Sequence, residues 1–186
     1  MTNLMADFEL PDAMTLKLPR RPVVNTAEFK AAMSAIGASV HVVTARRGEE
    51  RIGRTVTSLI SLSAEPPTVL VSIDIVSRLA DLIAKTGGFS VATLASDQHE
   101  IADAFAGRVE AGERFNLGQW SHWPSGHPKL AGTASALDCE VIGAMATGTH
   151  VLFAGAIVDA QTNAARGPLI WQGRHYHRVA RLDAPD

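Results

Sequence analysis

The chain has 186 residues, 46% hydrophobic and 19% charged, which is enough for one domain with its own core. A formal net charge of −2 excludes the basic surface that nucleic-acid binding needs. One cysteine, Cys139, excludes an intrachain disulfide and a cysteine-rich zinc site, and its apolar neighbours favour a core position. The start of the sequence lacks the pattern of a signal peptide, and no apolar run is long enough for a membrane span, so we predict a cytoplasmic protein.

The N-terminal residues differ in character from the rest. Residues 1–24 contain three prolines and show no hydrophobic period, so we predict an N-terminal arm followed by one domain over residues 25–186. Asn25 and Glu28 have the spacing of a capping box, which predicts a short helix that ends at Gly37.

Most of the remaining chain has the pattern of strands. Strands are predicted, in chain order, over residues 40–45, 68–75, 89–94, 134–146, 149–160 and 168–179, and residues 51–61 read as a returning strand or loop. Helices are predicted over residues 77–85 and from a second capping box at Asp97 and Glu100 to Gly107, and residues 108–132 read as a long irregular segment. Because the helices do not alternate regularly with the strands, the pattern favours a mainly β fold, an antiparallel barrel with a few peripheral helices.

The stretch from Gly53 to Lys85 is the best candidate for a site. A strand leads to Ser77 and Arg78 at a predicted helix start, where free N–H groups, the helix dipole, a hydroxyl and a guanidinium converge. This combination is typical of an anion site. The sequence fits equally well a simpler interpretation in which Ser77 caps the helix and Arg78 is solvated.

The common catalytic motifs are missing. The chain contains neither of the glycine-rich nucleotide loops nor the Gly-x-Ser-x-Gly elbow of hydrolases. His175 with His177, and His122 with His127, lack matching carboxylate or cysteine ligands, so we predict no metal site. On the residues alone, His150 reads as a structural histidine and Trp171 and Tyr176 as core or interface aromatics.

Several short motifs nevertheless occur in one order along residues 27–179. They are Val42-Val-Thr44, Gly53-Arg-Thr-Val-Thr-Ser58, Ser61-Leu-Ser63, Pro66-Pro67, Ser72-Ile-Asp74 with Ser77-Arg78, Glu113-Arg-Phe115, Gly148-Thr-His150, and Pro168-Leu-Ile-Trp171 with Gly173 and Tyr176. In this order and spacing the chain resembles the short-chain flavin reductases, which are NAD(P)H-dependent enzymes with a flavin-binding split barrel. Some motifs are also similar to those of the pyrimidine-utilisation flavin reductases.

The resemblance implies a flavin site, with FMN as the expected flavin and FAD as the alternative. The implied flavin-binding residues belong to three groups: the ring-binding loop Thr55, Val56, Thr57 and Ser58; the ring edge Ser72, Ile73 and Asp74; and the phosphate site Ser61, Ser77 and Arg78.

The resemblance also implies a nicotinamide site for NADH or NADPH. His150 would place the nicotinamide against the flavin as the catalytic residue, and Trp171 and Tyr176 would form the walls. Three residues depart from the family pattern. Arg54 replaces a frequent apolar residue, Ala92 a frequent asparagine, and Thr149 a frequent aspartate, which leaves the orientation of His150 open.

Members of this family typically form homodimers and supply reduced flavin to a flavin-dependent oxygenase, so both partners are expected here. Two other functions stay open on the sequence. One is a flavin- or haem-binding split barrel without turnover, and the other is a reductase that acts directly on another acceptor, such as a corrinoid.

Overall fold

The computed structural model describes residues 19–182. Most of the predicted N-terminal arm therefore lies outside the described residues, as do residues 183–186, and the arm stays a prediction. The helices are α1 (Thr26–Ser34), α2 (Arg78–Thr86) and α3 (His99–Asp103), and α3 continues as a π-helical turn (Ala104–Arg108). The strands are β1 (Ala38–Ser39), β2 (His41–Arg47), β3 (Glu50–Val56), β4 (Leu59–Ala64), β5 (Pro67–Asp74), β6 (Gly88–Thr93), β7 (Trp120–His122), β8 (Pro128–Leu130), β9 (Ser135–Ala146), β10 (His150–Thr162), β11 (Leu169–Gln172) and β12 (His175–Arg178).

Seven strands form one antiparallel sheet in the order β3-β2-β6-β9-β10-β5-β4. Its two edge strands, β3 and β4, are consecutive in the chain, and only Thr57 and Ser58 separate them. Helix α2 contacts β2 and β3 at one end of the sheet order and β5 near the other, so it fills the gap where the curved sheet is split. The mainly β, antiparallel split barrel with a few peripheral helices is thus confirmed.

The helix that fills this gap follows directly from local sequence signals. The Ser77 side chain caps its start by accepting from the Ala80 N–H, and Gly87 ends it with a φ of 66°, a left-handed conformation that suits glycine. The apolar positions recur at helical spacing, so one face is buried against the barrel interior through Leu79, Leu82 and Ile83. The opposite face is polar.

The barrel interior is packed by aromatic and β-branched side chains. Phe89 and Phe153 are fully buried there, and Cys139 lies in the same cluster, as its apolar neighbours predicted. A side chain at Gly155 has no room: a Cβ atom would lie 2.5 Å from Cζ of Phe89 and 2.9 Å from Cβ of Cys139. The close approach of β10 to Phe89 therefore requires glycine at position 155.

Gly155→Ala is expected to lower the free energy of unfolding by about 1–3 kcal/mol, because the added methyl overpacks the core. Gly167→Ala is the matched control, since a Cβ atom at Gly167 would meet no atom within 4 Å. The control should be neutral or slightly stabilising, because alanine also restricts the unfolded chain. Urea denaturation of the three proteins measures the difference, and equal stabilities would contradict the packing described here.

A second core lies on the outer side of β2 and β6. It is built around Phe105 and Leu94, and it is covered by a small three-stranded sheet in the order β1-β11-β12. The single strand predicted over residues 168–179 is wrong, because β11 and β12 form a hairpin. Gly173 and Arg174 both have positive φ, 57° and 66°, and so reverse the chain direction in a tight two-residue turn.

Two further local predictions are wrong. The side chain of Asp97 makes no capping bond; it pairs instead with Arg166 at 2.5 Å, and α3 begins after Gln98. The segment 108–132 is also more regular than expected, because a 3-10 turn (Arg114–Asn116) and the β7-β8 hairpin lie within it. Asp97 pairs with a residue distant in sequence, whereas β7-β8 is a local hairpin that closes through the Trp123 N–H bond to the His127 carbonyl.

A buried histidine lies on β2 of the main sheet. His41 is 7% exposed, and its Nδ1 lies 3.1 Å from the Thr93 hydroxyl, which in turn accepts from Ser135. Burial lowers the pKa of His41 to about 4, so the folded protein holds this imidazole neutral at ordinary pH.

We therefore expect acid to destabilise the protein partly through His41. The unfolded chain takes up this proton near pH 6.5, whereas the folded chain takes it up only near pH 4, so stability is lost as the pH falls between these values. The slope from one proton reaches at most about 1.4 kcal/mol per pH unit. The unfolding free energy of His41→Gln should fall less steeply than that of the wild type over this range. If the unfolding free energies of the two proteins run parallel over this pH range, His41 does not contribute to the acid destabilisation.

Candidate functional site

The end of β3 and the two residues after it lie between two cavities. The first, about 320 Å³, contains most of the predicted flavin residues, and we call it the ring cavity. Its lining is Arg54, Thr55, Val56, Thr57, Ser58, Ser72, Ile73, Asp74, Ser77 and His150. The volume lies at the lower end of the range for small-molecule sites. Segments from β3, β5, β10 and the start of α2 therefore meet at one place, as the resemblance predicted.

Sheet register holds these segments together. Asp74 on β5 is paired with His150 on β10, and the Ile75 N–H donates to the Thr149 carbonyl at 3.0 Å. The Ser58 hydroxyl donates to the Ser72 carbonyl at 2.9 Å, and the Ser72 N–H donates back to the Ser58 carbonyl at 3.2 Å. The loop after β3 is thus fixed to β5. Because β3 is an edge strand, it also keeps backbone groups that the sheet does not use.

His150 is exposed at the mouth of the ring cavity, at the first position of β10. Its Nδ1 lies 2.9 Å from the Thr149 hydroxyl, so the neighbour that departs from the family pattern is the one that orients the ring. With Nδ1 engaged, Nε2 is the nitrogen left for a ligand. A hydroxyl at this distance orients the imidazole without adding the negative charge that an aspartate would bring.

The second cavity, about 330 Å³, shares Thr55, Val56 and Thr57 with the first and has Trp171 and Tyr176 on its other side. The two aromatic rings pack edge to face with centroids 4.9 Å apart. The Tyr176 hydroxyl donates to Asp103 at 2.8 Å, and burial, with the nearby carboxylate, raises the pKa of Tyr176 to about 12. Tyr176 therefore stays protonated and uncharged at ordinary pH, with its proton directed to Asp103.

The start of α2 borders the ring cavity and has the donor groups that an anion would need. The Ser77 hydroxyl accepts from the Ala80 N–H at 3.2 Å and donates to the Asp74 carbonyl at 2.7 Å, so its single proton is already used. The Ser77 side chain therefore acts as the N-cap of α2, and it has no proton left to donate to a ligand. The first N–H groups of the helix, those of Arg78 and Leu79, have no intrahelical partner and point toward any ligand at this end.

Arg78 lies beside a third and larger cavity, about 740 Å³, which also has Arg54, Ser77 and Arg114 in its lining. Its guanidinium is exposed, as the simpler interpretation held, and it also forms an ion pair with Glu50 at the start of β3. Sequence reasoning did not identify Glu50 or Arg114. No local signal was available for Glu50, because its partner is 28 residues away.

Ser61 is the one predicted flavin residue outside these cavities. It lies on the exposed edge strand β4, paired with Val69 and further along β4 than the Ser58–Ser72 contact. A role in holding phosphate is therefore not supported by its position. Within residues 19–182, no group of three or more histidine, cysteine or acidic side chains is arranged to hold a metal ion.

Fold and site together define a small split barrel with a polar loop between two cavities and an arginine at a helix start. The family model described as "Flavin reductase like domain" matches residues 33–180. The chain is 33% identical over 156 residues to the FMN reductase (NADH) RutF of Pseudomonas syringae pv. syringae (strain B728a), covering 84% of this chain and 88% of that protein. The chain belongs to the flavin reductase family.

Two other similarities extend this result. The reductase component of the FADH(2)-dependent resorcinol hydroxylase of Rhizobium sp. (strain MTP-10005) is 35% identical over 80% of this chain and 84% of its own length. Among solved structures, the NADH:FAD oxidoreductase SgcE6 of Streptomyces globisporus C-1027 superimposes with a TM-score of 0.79 at 26% identity, over 88% of this chain and all of that one. Members of this family thus occur as components of two-component systems.

Proposed function

We propose that this protein is an NAD(P)H-dependent flavin reductase that transfers a hydride from NADH to FMN, with FAD as the alternative flavin. The observation that carries the proposal is the convergence of three segments on one cavity: the end of β3 with Thr57 and Ser58, the Ser72–Asp74 strand end, and the α2 start. The names of the relatives at 33% and 35% identity support flavin and NADH as the reacting molecules.

The residues at the cavity fit a flavin. An isoalloxazine ring needs a concave polar slot, which the edge of β3 and the hydrogen-bonded Ser58–Ser72 pair supply. The flavin phosphate needs donors and positive charge, which the first N–H groups of α2 and the Arg78 guanidinium supply. When bound, a flavin takes up a hydride from a reduced nicotinamide and a proton from solvent, which leaves oxidised nicotinamide and dihydroflavin.

The remaining residues act by positioning. Hydride transfer needs the two rings near contact distance and does not need a strong acid or base. His150 at the cavity mouth would hold the nicotinamide through Nε2, and the Trp171–Tyr176 pair would limit its movement on the other side of the Thr55–Thr57 segment. Backbone N–H groups of that segment would stabilise negative charge that develops on the flavin ring.

NADH consumption tests this proposal directly. Purified protein with added FMN should oxidise NADH well above a control without protein, and comparison with FAD and NADPH should identify the preferred pair. No acceleration with either flavin would overturn the enzymatic function and leave a binding protein without turnover. Anaerobic assays with a corrinoid as acceptor would test direct reduction of another molecule.

The reduced flavin is expected to leave and serve a flavin-dependent oxygenase. The relative named as a hydroxylase reductase component supports this partner. The exposure of His150 at the edge of the ring cavity agrees with release. No helix in residues 19–182 is long and apolar enough to cross a membrane, and the cytoplasmic location stays a prediction.

A homodimer is also part of the proposal. Ile142 and Val158 are 52% and 56% exposed, and both lie where the register of β9 and β10 shifts. Leu62, 52% exposed, lies at a similar shift in β4. Helix α1 forms with its predicted capping box, yet its apolar residues Phe29 and Met33 are 54% and 47% exposed. Such surfaces are typical of interfaces between copies. A monomeric mass measured in solution at micromolar protein concentration would contradict the homodimer.

A further inference from the structure

Glu50 lines the cavity beside the proposed phosphate site and has no role assigned above. It lies at the start of β3, and its carboxylate is the ion-pair partner of Arg78, the cation expected to hold the flavin phosphate. We infer that Glu50 is an internal competitor: its carboxylate occupies the Arg78 guanidinium when flavin is absent, and it lowers the affinity for flavins that carry a phosphate. This inference rests on the flavin-binding function proposed above.

The Arg78 guanidinium cannot keep its contact with the Glu50 carboxylate while it binds a phosphate bidentately. Glu50, Ser77 and Arg78 line the same cavity of about 740 Å³, so carboxylate and ligand approach the guanidinium in a shared space. The Glu50 carboxylate contacts Nη2 of Arg78. A phosphate that binds a guanidinium through two parallel N–H groups also uses Nη2, because both such pairs of N–H groups include that nitrogen. A phosphate that takes both N–H groups must therefore displace Glu50.

The neighbouring glutamate provides a contrast within the same turn. Glu49 lines the same cavity, but it is fully exposed and its carboxylate lies 3.8 Å from Arg46, three residues before it in sequence. The two side chains carry the same charge at almost the same place in the chain. Only Glu50 contacts the proposed phosphate-binding cation, so the competition is a property of that contact and not of general negative charge.

The strength of the ion pair sets the size of the effect. The side chains of Arg78 and Glu50 are 79% and 42% exposed, and pairs with this degree of exposure contribute little. Displacing the carboxylate should therefore weaken flavin binding by about two- to five-fold, and the effect should shrink as salt screens the pair. Since oxidised and reduced flavin carry the same phosphate, Glu50 favours release of the product as well as exchange of the substrate.

The test is FMN affinity by fluorescence quenching at low ionic strength. Glu50→Gln should tighten FMN binding by about two- to five-fold, while Glu49→Gln should leave it nearly unchanged. Riboflavin has the same ring without the phosphate, so its affinity should not respond to Glu50→Gln. In an Arg78→Ala background, Glu50→Gln should have no further effect on FMN.

Each other outcome overturns the inference. Equal tightening for riboflavin, or equal tightening by Glu49→Gln, would indicate general electrostatics or a structural change. Unchanged or weaker FMN binding by Glu50→Gln would show that the carboxylate does not compete. These results differ from a failure of the proposed function itself, in which the wild-type protein neither binds FMN nor accelerates NADH oxidation.

Discussion

Arg78→Ala is expected to weaken FMN binding by about 1.5–3 kcal/mol, the range for a hydrogen bond to a charged group. This free energy corresponds to a dissociation constant about 10–150 times higher. This loss of FMN binding assumes that the Arg78 guanidinium leaves Glu50 and binds the phosphate. The Arg78–Glu50 ion pair must be broken first. Titration of FMN into both proteins by fluorescence or calorimetry measures the change.

Lys85→Ala is the matched control for this substitution. Lys85 is an exposed cation in the last turn of the same helix, at the end where no phosphate is expected. It should change FMN affinity only slightly, because exposed charges that far apart are screened by salt. Riboflavin should bind wild type and Arg78→Ala alike. An unchanged FMN affinity in Arg78→Ala would show that Arg78 does not bind the flavin phosphate.

His150→Ala is expected to reduce kcat/KM for NADH by about 10–100-fold, because a nicotinamide that is poorly placed rarely reaches hydride-transfer distance. FMN affinity should stay near the wild-type value, since the proposed phosphate site at α2 is untouched. Steady-state kinetics with FMN saturating, together with FMN titration, separates the two effects. A parallel loss of flavin binding would assign His150 to the flavin and not to the nicotinamide.

His122→Ala serves as the control for removing a histidine. His122 is exposed on β7, which belongs to the separate two-stranded sheet and does not line the ring cavity. Its kinetics should match those of the wild type. A second variant, Thr149→Val, removes the hydroxyl beside Nδ1 of His150 and should give a smaller loss in the same direction. Activity of His150→Ala equal to that of the wild type would contradict its role.

Local signals predicted the parts of the site that one segment builds alone. The helix start at Ser77 and the buried strand before it could be predicted because capping, hydrophobic period and β-branched residues act over a few positions. The capping box at Asn25 was predicted for the same reason and is confirmed, with both reciprocal hydrogen bonds present.

Predictions failed where a distant partner, or a turn residue that the sequence does not mark, decides the conformation. Asp97 fits a capping box by spacing, but Arg166 is close enough to take its carboxylate. Arg174 has a positive φ although it is not glycine. Its residue type therefore does not indicate a turn, whereas the glycine at position 173 does. The Arg78–Glu50 pair likewise depends on the way α2 packs across the end of β3. Spacing rules carry no information about such contacts.

The position of the Thr57–Ser58 loop has a consequence for the behaviour of the whole barrel. Edge strands exchange their amide hydrogens faster than central ones, and here both edges of the main sheet end at the loop that lines the ring cavity. A flavin in that cavity would slow amide hydrogen exchange in β3 and β4 more than in the central strands β6 and β9. It would also raise the melting temperature in proportion to the logarithm of free flavin concentration, by mass action.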